Sequence, residues 1–245
     1  MFPILQLGPL ALQLPGLFLL AGIWVGTWLI DREAPRQRVA GAALNSLVFY
    51  GLIAGVIAAR LAYALRYAKI YAQDPLSLFS LNLSTFAPAE GILVGVAVAF
   101  VVGQRRRLPF WASLDTLTPS LAAFAILFGL AHLSSGDAYG TPASVPWAIE
   151  LWGARRHPTQ VYEILSAILA FGVVWRLRIV ETFPGFLFLA WVALAAASRI
   201  FLEGFRGDSP VLFEGLRSPQ LVGLVVMACT FAIVHRRARI ARPTA

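Results

Sequence analysis

Arginine, histidine and carboxylate side chains cluster at the ends of apolar segments in this sequence. One cluster is RRHPTQVYE at 155–163, which directly precedes an apolar run. Another, SRIFLEGFRGDSP at 198–210, carries Arg199, Glu203 and Arg206 at spacings that place them on one stripe of a helix. Guanidinium groups bind phosphate through paired hydrogen bonds, and carboxylates or imidazoles can transfer protons. These residue types indicate a site for an anionic, phosphate-bearing ligand.

The residues that could take part in binding or catalysis are basic, acidic or imidazole side chains near the ends of apolar runs. The candidate catalytic residues are Arg199, Glu90, His132 and Glu203. The arginines that are candidates for binding a lipid phosphate are Arg60, Arg199, Arg206 and Arg156. The residues expected to support the same pocket are Tyr63, Asp137, Gly140, His157, Gln160 and Glu163. The pattern predicts no metal site and no cofactor.

Each of these positions also has a purely structural explanation. An arginine near the end of a membrane helix commonly extends its charged head to lipid headgroups, which accounts equally for Arg60 and Arg206. Arg199 and Glu203 are four residues apart and can form an ion pair within one helix. The sequence around His132 is as compatible with a histidine in a loop as with a catalytic base. A common polar pocket is favoured because several such residues are expected at one depth.

The composition is that of an integral membrane protein. Of the 245 residues 59% are hydrophobic and 13% are charged, whereas soluble domains carry about 25% charged residues. The formal net charge is +8. In a membrane protein an excess of arginine reflects topology and contact with anionic lipid more often than nucleic-acid binding. We therefore expect a membrane and an anionic lipid as partners, and no nucleic acid.

Hydropathy predicts an all-α membrane protein with seven transmembrane helices in a single polytopic domain, 1–245. A helix needs about 20 mostly apolar residues to cross the hydrocarbon. The predicted spans are 11–30, 40–64, 88–103, 112–133, 159–176, 184–203 and 217–234. No signal peptide is expected, because no positive charge precedes the first apolar run.

The distribution of basic residues predicts the orientation. The segments DREAPRQR, QRRRLPF, RLRIVETF and HRRARIARPTA hold 12 Lys and Arg residues, and the opposite loops hold six. By the positive-inside rule the N-terminus lies outside and the C-terminus lies in the cytoplasm.

This orientation puts polar groups from five helices in the outer third of the bilayer. They lie at the outer ends of the second to sixth spans, and Asp115 is the main polar residue near an inner end. Ionisable residues inside a membrane are costly and default to a functional hypothesis. At the fifth span, Pro158 is expected at the first helical position with His157 as the N-cap.

Several stretches resemble motifs of the prolipoprotein diacylglyceryl transferases. RRHPTQVYE is similar to that family's RHPSQLYE stretch, and SRIFLEGFRGDSP resembles its RxxxExxR stretch at the outer end of the sixth helix. SPQLVGLVV at 218–226 resembles the glutamine-led start of the seventh helix, and ARLAYALRY at 59–67 the GRIGYVLFY-type end of the second. The matches follow the order of the chain.

The resemblance implies a reaction and its partners. A diacylglyceryl group would move from phosphatidylglycerol to the thiol of a lipobox cysteine in a prolipoprotein signal peptide, releasing glycerol phosphate. The enzyme would be a multi-pass protein of the bacterial inner (plasma) membrane, acting at the outer leaflet. Arginines would stabilise the departing phosphate.

The chain departs from the family at positions expected to act in the reaction. Glu90 stands where the HGGLIG motif has its histidine. In FGLAHLSSGDAYG, Gly129 replaces an arginine and His132 replaces an asparagine, whereas Asp137 keeps an acid. Ala195 occupies a tyrosine position. The matching arginines are Arg60, Arg156, Arg199 and Arg206.

Three functions remain open on the sequence alone. In the first, the chain is a divergent diacylglyceryl transferase in which Glu90 or His132 is the general base. In the second, it is a related transferase with another lipid group or acceptor. In the third, it is a membrane protein that binds anionic lipid without catalysis.

Overall fold

The described chain contains eight α-helices, one short 3-10 helix (Pro75–Phe79) and three short hairpins. The computed structural model describes residues 4–7, 10–79, 85–180, 182–213 and 215–241. The helices are α1 (Leu14–Glu33), α2 (Gly41–Arg66), α3 (Ala68–Gln73), α4 (Pro88–Arg105), α5 (Phe110–Ser135), α6 (Thr159–Leu177), α7 (Phe186–Glu203) and α8 (Ser218–Ala241). Seven of these, all but α3, are long and apolar enough to cross a bilayer. The predicted all-α, seven-span fold is confirmed.

The helix ends differ from the predicted spans where local chemistry overrides hydropathy. The first span starts late because Leu10–Gln13 forms strand β2, which pairs antiparallel with β1 (Ile4–Leu7). The last helix continues to Ala241, because arginine is a good helix former and needs no hydrocarbon around it.

The start of α6 corrects a prediction. Pro158 is the N-cap of this helix, with a non-helical ψ of 65°, and Thr159 is its first residue. His157 therefore lies outside the helix instead of capping it. Its backbone N–H donates to Thr141 O at 3.1 Å, so His157 is engaged by an extended segment that leads into the helix.

A second hairpin, formed by β3 (Ile149–Leu151) and β4 (Ala154–Arg156), precedes α6. Its turn residues Trp152 and Gly153 both have positive φ, 53° and 73°. A two-residue turn of this kind matches the twist of the strands and favours glycine. The third hairpin pairs β5 (Val211–Phe213) with β6 (Leu216–Arg217) between α7 and α8.

The described chain divides into two compact units. The first comprises Met1–Glu33 and Leu114–Ala245, and the second comprises Ala34–Ser113. In the second unit α2 packs on α4 through glycines: a Cβ on Gly55 would lie 3.0 Å from Gly91 O. Such contacts let membrane helices approach closely. The single polytopic domain stays a prediction.

The core of the first unit positions α7 against α5 and α6. Ala122, Val174 and Leu187 are buried together at its centre. Near one end, Asp115 accepts hydrogen bonds from the backbone N–H groups of Gly185 (2.6 Å) and Phe188 (2.9 Å). The carboxylate thus satisfies N–H groups that a helix start leaves without partners. This polar residue is explained by capping of α7.

Candidate active site

The ends of α5, α6 and α7 bring six ionisable residues of the first unit together. We call them the charged cluster: His132, Glu163, Arg199, Glu203, Arg206 and Asp208. Glu163 lies at its centre, with Oε2 at 2.9 Å from His132 Nδ1 and Oε1 at 2.7 Å from Arg206 Nη1. The Oε1 atom is also 3.8 Å from Arg199 Nη1. One carboxylate therefore links residues of three helical segments.

Arg206 is the most fully paired cation of the charged cluster. Its Nε and Nη2 donate to the two carboxylate oxygens of Asp208, at 2.9 and 2.8 Å. Burial acts to lower the pKa of Arg206, but its hydrogen bonds to Asp208 and the charges of Glu163, Asp208 and Glu203 outweigh it and raise the pKa. Arg206 is therefore a permanent charge that holds Glu163 in place. It follows the end of α7 at Glu203, so the predicted stripe of three residues on one helix is wrong for Arg206.

Arg199 is the least satisfied arginine of the charged cluster. Its Nε lies 3.0 Å from Glu203 Oε2, one turn further along α7, and its side chain is 42% exposed. Glu203 is fully buried. Within the described residues, neither Glu203 oxygen has a well-aligned hydrogen-bond donor, so its link to Arg199 is mainly electrostatic. Arg199 thus retains donors that can reach a ligand.

Two cavities of the first unit meet at Arg199. The larger, about 410 Å³, is a groove along α7 and α8 with mostly apolar walls. The smaller, about 190 Å³, lies among α5, α6 and α7 and includes His132, Glu163 and Ser198 in its wall. The residues that border both cavities are Trp191, Ala195 and Arg199. Arg199 thus borders an apolar groove and a smaller, largely apolar pocket that contains the polar side chains of His132 and Glu163.

Segments beyond the helix ends hold the charged cluster from one side. Gly207 N donates to Tyr139 O and Thr141 N donates to Phe205 O, both at 2.8 Å. Gly140 is enclosed, since a Cβ there would be 2.3 Å from His157 O. Only glycine allows this approach. Gly140 and His157, both predicted to support the pocket, thus build the backbone scaffold around Arg206.

The start of α6 ties down the loop that follows α5. Thr159 Oγ1 donates to Ala138 O at 2.5 Å, and Gln160 Nε2 donates to Asp137 O at 2.8 Å. Gln160 is fully buried, whereas Asp137 is exposed and enters this contact through its backbone. The predicted supporting residue Gln160 therefore positions the loop.

Arg156 also contacts backbone. Its Nε donates to Leu151 O at 3.0 Å and its Nη1 to Gly140 O at 3.2 Å. The guanidinium lies 5.0 Å from the centre of the Tyr139 ring. These contacts fasten the β3–β4 hairpin to the loop after α5, and phosphate binding by Arg156 stays a prediction.

Arg60, in the second unit, has its guanidinium enclosed by protein. Its Nε donates to Leu78 O at 2.8 Å and its Nη1 to Thr85 O at 2.9 Å, with further bonds to Thr85 Oγ1 and Ser77 O. The rings of Tyr71 and Phe86 flank it. Arg60 therefore joins the end of α2 to the segment that leads to α4.

Glu90 is also in the second unit, in the first turn of α4. Its carboxylate pairs with Arg66 at the end of α2, and both side chains are substantially exposed. The ring of Tyr63 contacts the ring of Tyr67 at a tilt of 41°, with ring centres 4.7 Å apart. The structure thus gives Glu90 a neighbouring cation, while its catalytic role stays a prediction.

Asp208 and Trp191 were missed from the sequence. Asp208 was visible as an acid two residues after Arg206, which is a short enough spacing for a bidentate pair. Trp191 had no such signal, because an apolar residue in an apolar helix is not distinguishable from core. Among the described residues, no group of three His, Cys, Asp or Glu side chains is arranged to hold a metal ion.

Comparison with known proteins gives a consistent result along the chain. Residues 3–236 match the family model described as prolipoprotein diacylglyceryl transferase. A phosphatidylglycerol–prolipoprotein diacylglyceryl transferase from Geobacillus kaustophilus is 28% identical over 96% of this chain and 92% of its own length. The protein of the same name from Halalkalibacterium halodurans is 26% identical over 96% of this chain and 86% of its own length. The one from Synechococcus elongatus is 28% identical over 92% of this chain and 83% of its own length.

Proposed function

The chain belongs to the prolipoprotein diacylglyceryl transferase family, and from this premise we propose that it transfers a diacylglyceryl group from phosphatidylglycerol to the lipobox cysteine thiol of prolipoproteins. It is a multi-pass membrane transferase with seven apolar helices, of a family of the bacterial inner membrane. In the proposed orientation the N-terminus lies outside, so the charged cluster faces the outer leaflet.

The observation that carries the proposal is the position of Arg199. Arg199 borders both an apolar groove and a smaller pocket that contains the polar side chains of His132 and Glu163, and its own side chain is only partly buried. Phosphatidylglycerol has the matching chemistry, since apolar acyl chains are joined to a phosphate through glycerol. The groove along α7 and α8 would take an acyl chain while Arg199 binds the phosphate.

The reaction needs charge stabilisation on the leaving group. The thiol sulfur attacks the glyceryl carbon that bears the phosphate ester, and the carbon–oxygen bond breaks with its electron pair leaving on glycerol phosphate. Arg199 would bind the phosphate more strongly as this charge develops, which lowers the barrier. Glu203 would orient Arg199, and Arg206 would act through Glu163.

Complementation tests the proposal directly. Cells depleted of their own transferase would express this chain, and a model prolipoprotein would be followed by its mobility shift on lipidation. We expect the lipidated form with the wild-type chain and none with Arg199→Ala at equal membrane abundance. No shift with the wild-type chain in the membrane would contradict the proposed function.

Lipidomic comparison separates the two remaining functions if complementation fails. A new lipid adduct in overexpressing cells would indicate a transferase with another acceptor. Co-purified anionic lipid without any adduct would indicate a non-catalytic lipid-binding protein.

A further inference from the structure

The imidazole of His132 has one nitrogen engaged and its ring in a cavity wall. Its Nδ1 is 2.9 Å from Glu163 Oε2, and the ring borders the smaller cavity together with Arg199. Phe128 packs against it, with ring centres 4.3 Å apart. The side chain is 21% exposed, so the imidazole is sheltered yet accessible from the cavity.

The contact with Glu163 determines which nitrogen is basic. A carboxylate only accepts hydrogen bonds, so the hydrogen of a neutral imidazole sits on Nδ1 and the lone pair is on Nε2. Among the described residues His132 Nε2 has no hydrogen-bond partner. The base of the pair is therefore the nitrogen that is not committed to Glu163.

Glu163 is itself held rigidly. Its second oxygen accepts from Arg206 at 2.7 Å, and Arg206 is fixed by two bonds to Asp208. The charge on Glu163 also stabilises an imidazolium if His132 takes up a proton. This chain of contacts can orient a base and stabilise its protonated form, as in nucleophile–base–orienting-group arrangements.

Glu90 is differently placed for the same task. Its carboxylate is held by Arg66, and both side chains are substantially exposed. Proton transfer to Glu90 would have to disrupt this ion pair. Imidazole is also the side chain that takes up and releases protons most readily near neutral pH.

We propose that His132 is the general base of the transfer reaction and that Glu163 is its positioning residue. The inference rests on the proposed function. The thiol proton moves to His132 Nε2 as sulfur bonds to the glyceryl carbon, and the carbon–oxygen electron pair leaves with the phosphate of glycerol phosphate. The imidazolium, paired with Glu163, then releases its proton to solvent.

The first test measures transfer by purified protein from phosphatidylglycerol in mixed micelles to a synthetic lipobox peptide. His132→Asn should lower kcat by about 100-fold or more, the usual range for losing a general base. His235→Asn, in the exposed basic end of α8, is the matched control and should leave kcat unchanged. Glu90→Gln should lower kcat by no more than about 5-fold, as for loss of an exposed ion pair.

A selenocysteine peptide separates the base from a structural role. A selenol is ionised at neutral pH and needs no proton acceptor. With this peptide, His132→Asn should regain activity to within about 10-fold of wild type, because an ionised selenol does not need a general base to remove its proton. Arg199→Ala should not be rescued, because its loss affects the leaving phosphate.

Glu163→Gln tests the positioning role. It should lower kcat by at least about 10-fold with little change in KM, since Gln keeps the shape of the side chain but no longer fixes the tautomer. The selenocysteine peptide should rescue this variant as well. If His132→Asn unfolds, as judged by size-exclusion chromatography, His132→Gln takes its place in every assay.

The outcomes are distinguishable. An active wild type with an equally active His132→Asn overturns the inference and leaves the proposed function intact. Loss in Glu90→Gln as large as that in His132→Asn, or a His132→Asn that selenocysteine does not rescue, also overturns it. A folded wild type that lipidates neither peptide overturns both.

Discussion

Arg60 and Arg199 are arginines near helix ends that the sequence presents as equivalent, and the structure gives them opposite environments. Arg60 is buried, and its donors are bonded to backbone and hydroxyl oxygens of Ser77, Leu78 and Thr85. Arg199 is 42% exposed, borders two cavities and, among the described residues, forms ion pairs with the carboxylates of Glu163 and Glu203. The N–H donors of Arg60 are bonded to protein oxygens, whereas Arg199 has donors that remain available to a ligand.

Donor satisfaction, more than residue type or depth, is therefore the property that distinguishes the two arginines. A guanidinium has five N–H donors in fixed directions. Arg60 donates to carbonyl groups of a loop that would otherwise lack partners, whereas the contacts of Arg199 with Glu203 and Glu163 are mainly electrostatic. Variants of the two residues should therefore fail in different ways.

The largest expected effect is on catalysis by Arg199→Ala. Loss of a donor aimed at charge that develops in the transition state should lower kcat by about 1000-fold. Because alanine leaves the buried Glu203 without its cation, Arg199→Lys is the control for folding. We expect Arg199→Lys to keep the unfolding temperature near that of the wild type and still lose about 100-fold in rate, since an ammonium cannot bind phosphate bidentately.

The next largest effect is on stability, in Arg60→Ala. Removing a buried guanidinium leaves backbone carbonyls unsatisfied, which should cost about 3 kcal/mol of unfolding free energy. Thermal unfolding in detergent measures the change. If Arg60→Ala unfolds at the wild-type temperature but loses transfer activity as completely as Arg199→Ala, the two arginines do not differ in role as proposed.

The backbone contact between Gly140 and His157, beside the charged cluster, should also contribute to stability. Gly140→Ala forces a Cβ against the carbonyl of His157, which should cost about 2 kcal/mol of unfolding free energy through overpacking. Gly172→Ala in α6 is the matched control, because nothing lies within 4 Å of its Cβ position. That variant should be neutral or more stable by about 0.5 kcal/mol. Equal melting temperatures for the two variants would contradict the claim that the close approach at Gly140 stabilises the fold.

The smallest effect belongs to the exposed ion pair of the second unit. Arg66→Gln removes the partner of Glu90, and both side chains are solvent-exposed. Solvent screens such a pair, so the unfolding free energy should change by less than about 0.5 kcal/mol. A chemical-denaturation midpoint well below that of the wild type would show that this pair has a structural role that the geometry does not explain.

Hydropathy was sufficient to predict the seven membrane helices because apolar length is a local signal. The spans matched to within a few residues except where Leu10–Gln13 pairs as a strand and where the arginine-rich end of α8 stays helical. Helix periodicity also placed Arg199 and Glu203 on one face of α7.

The remaining features depend on contacts between distant residues. His132 and Glu163 are 31 positions apart, and nothing in their local patterns pairs them. Arg206 was expected on the α7 stripe, but the helix ends at Glu203, and the following turn brings Arg206 to Glu163. Arg60 looked the same as Arg199, because the loop carbonyls that bind it carry no sequence signature.

The central claim is that Arg199 binds the phosphate of a phospholipid donor during transfer to a thiol. The most direct measurement follows both products from purified protein, phosphatidylglycerol and lipobox peptide, using mass spectrometry for the thioether and an enzymatic assay for glycerol phosphate. The two products should form in equal amounts with the wild type, and the amounts of both should fall together in Arg199→Lys. Folded wild-type protein that forms neither product, or Arg199→Lys with the full wild-type rate of both, would contradict it.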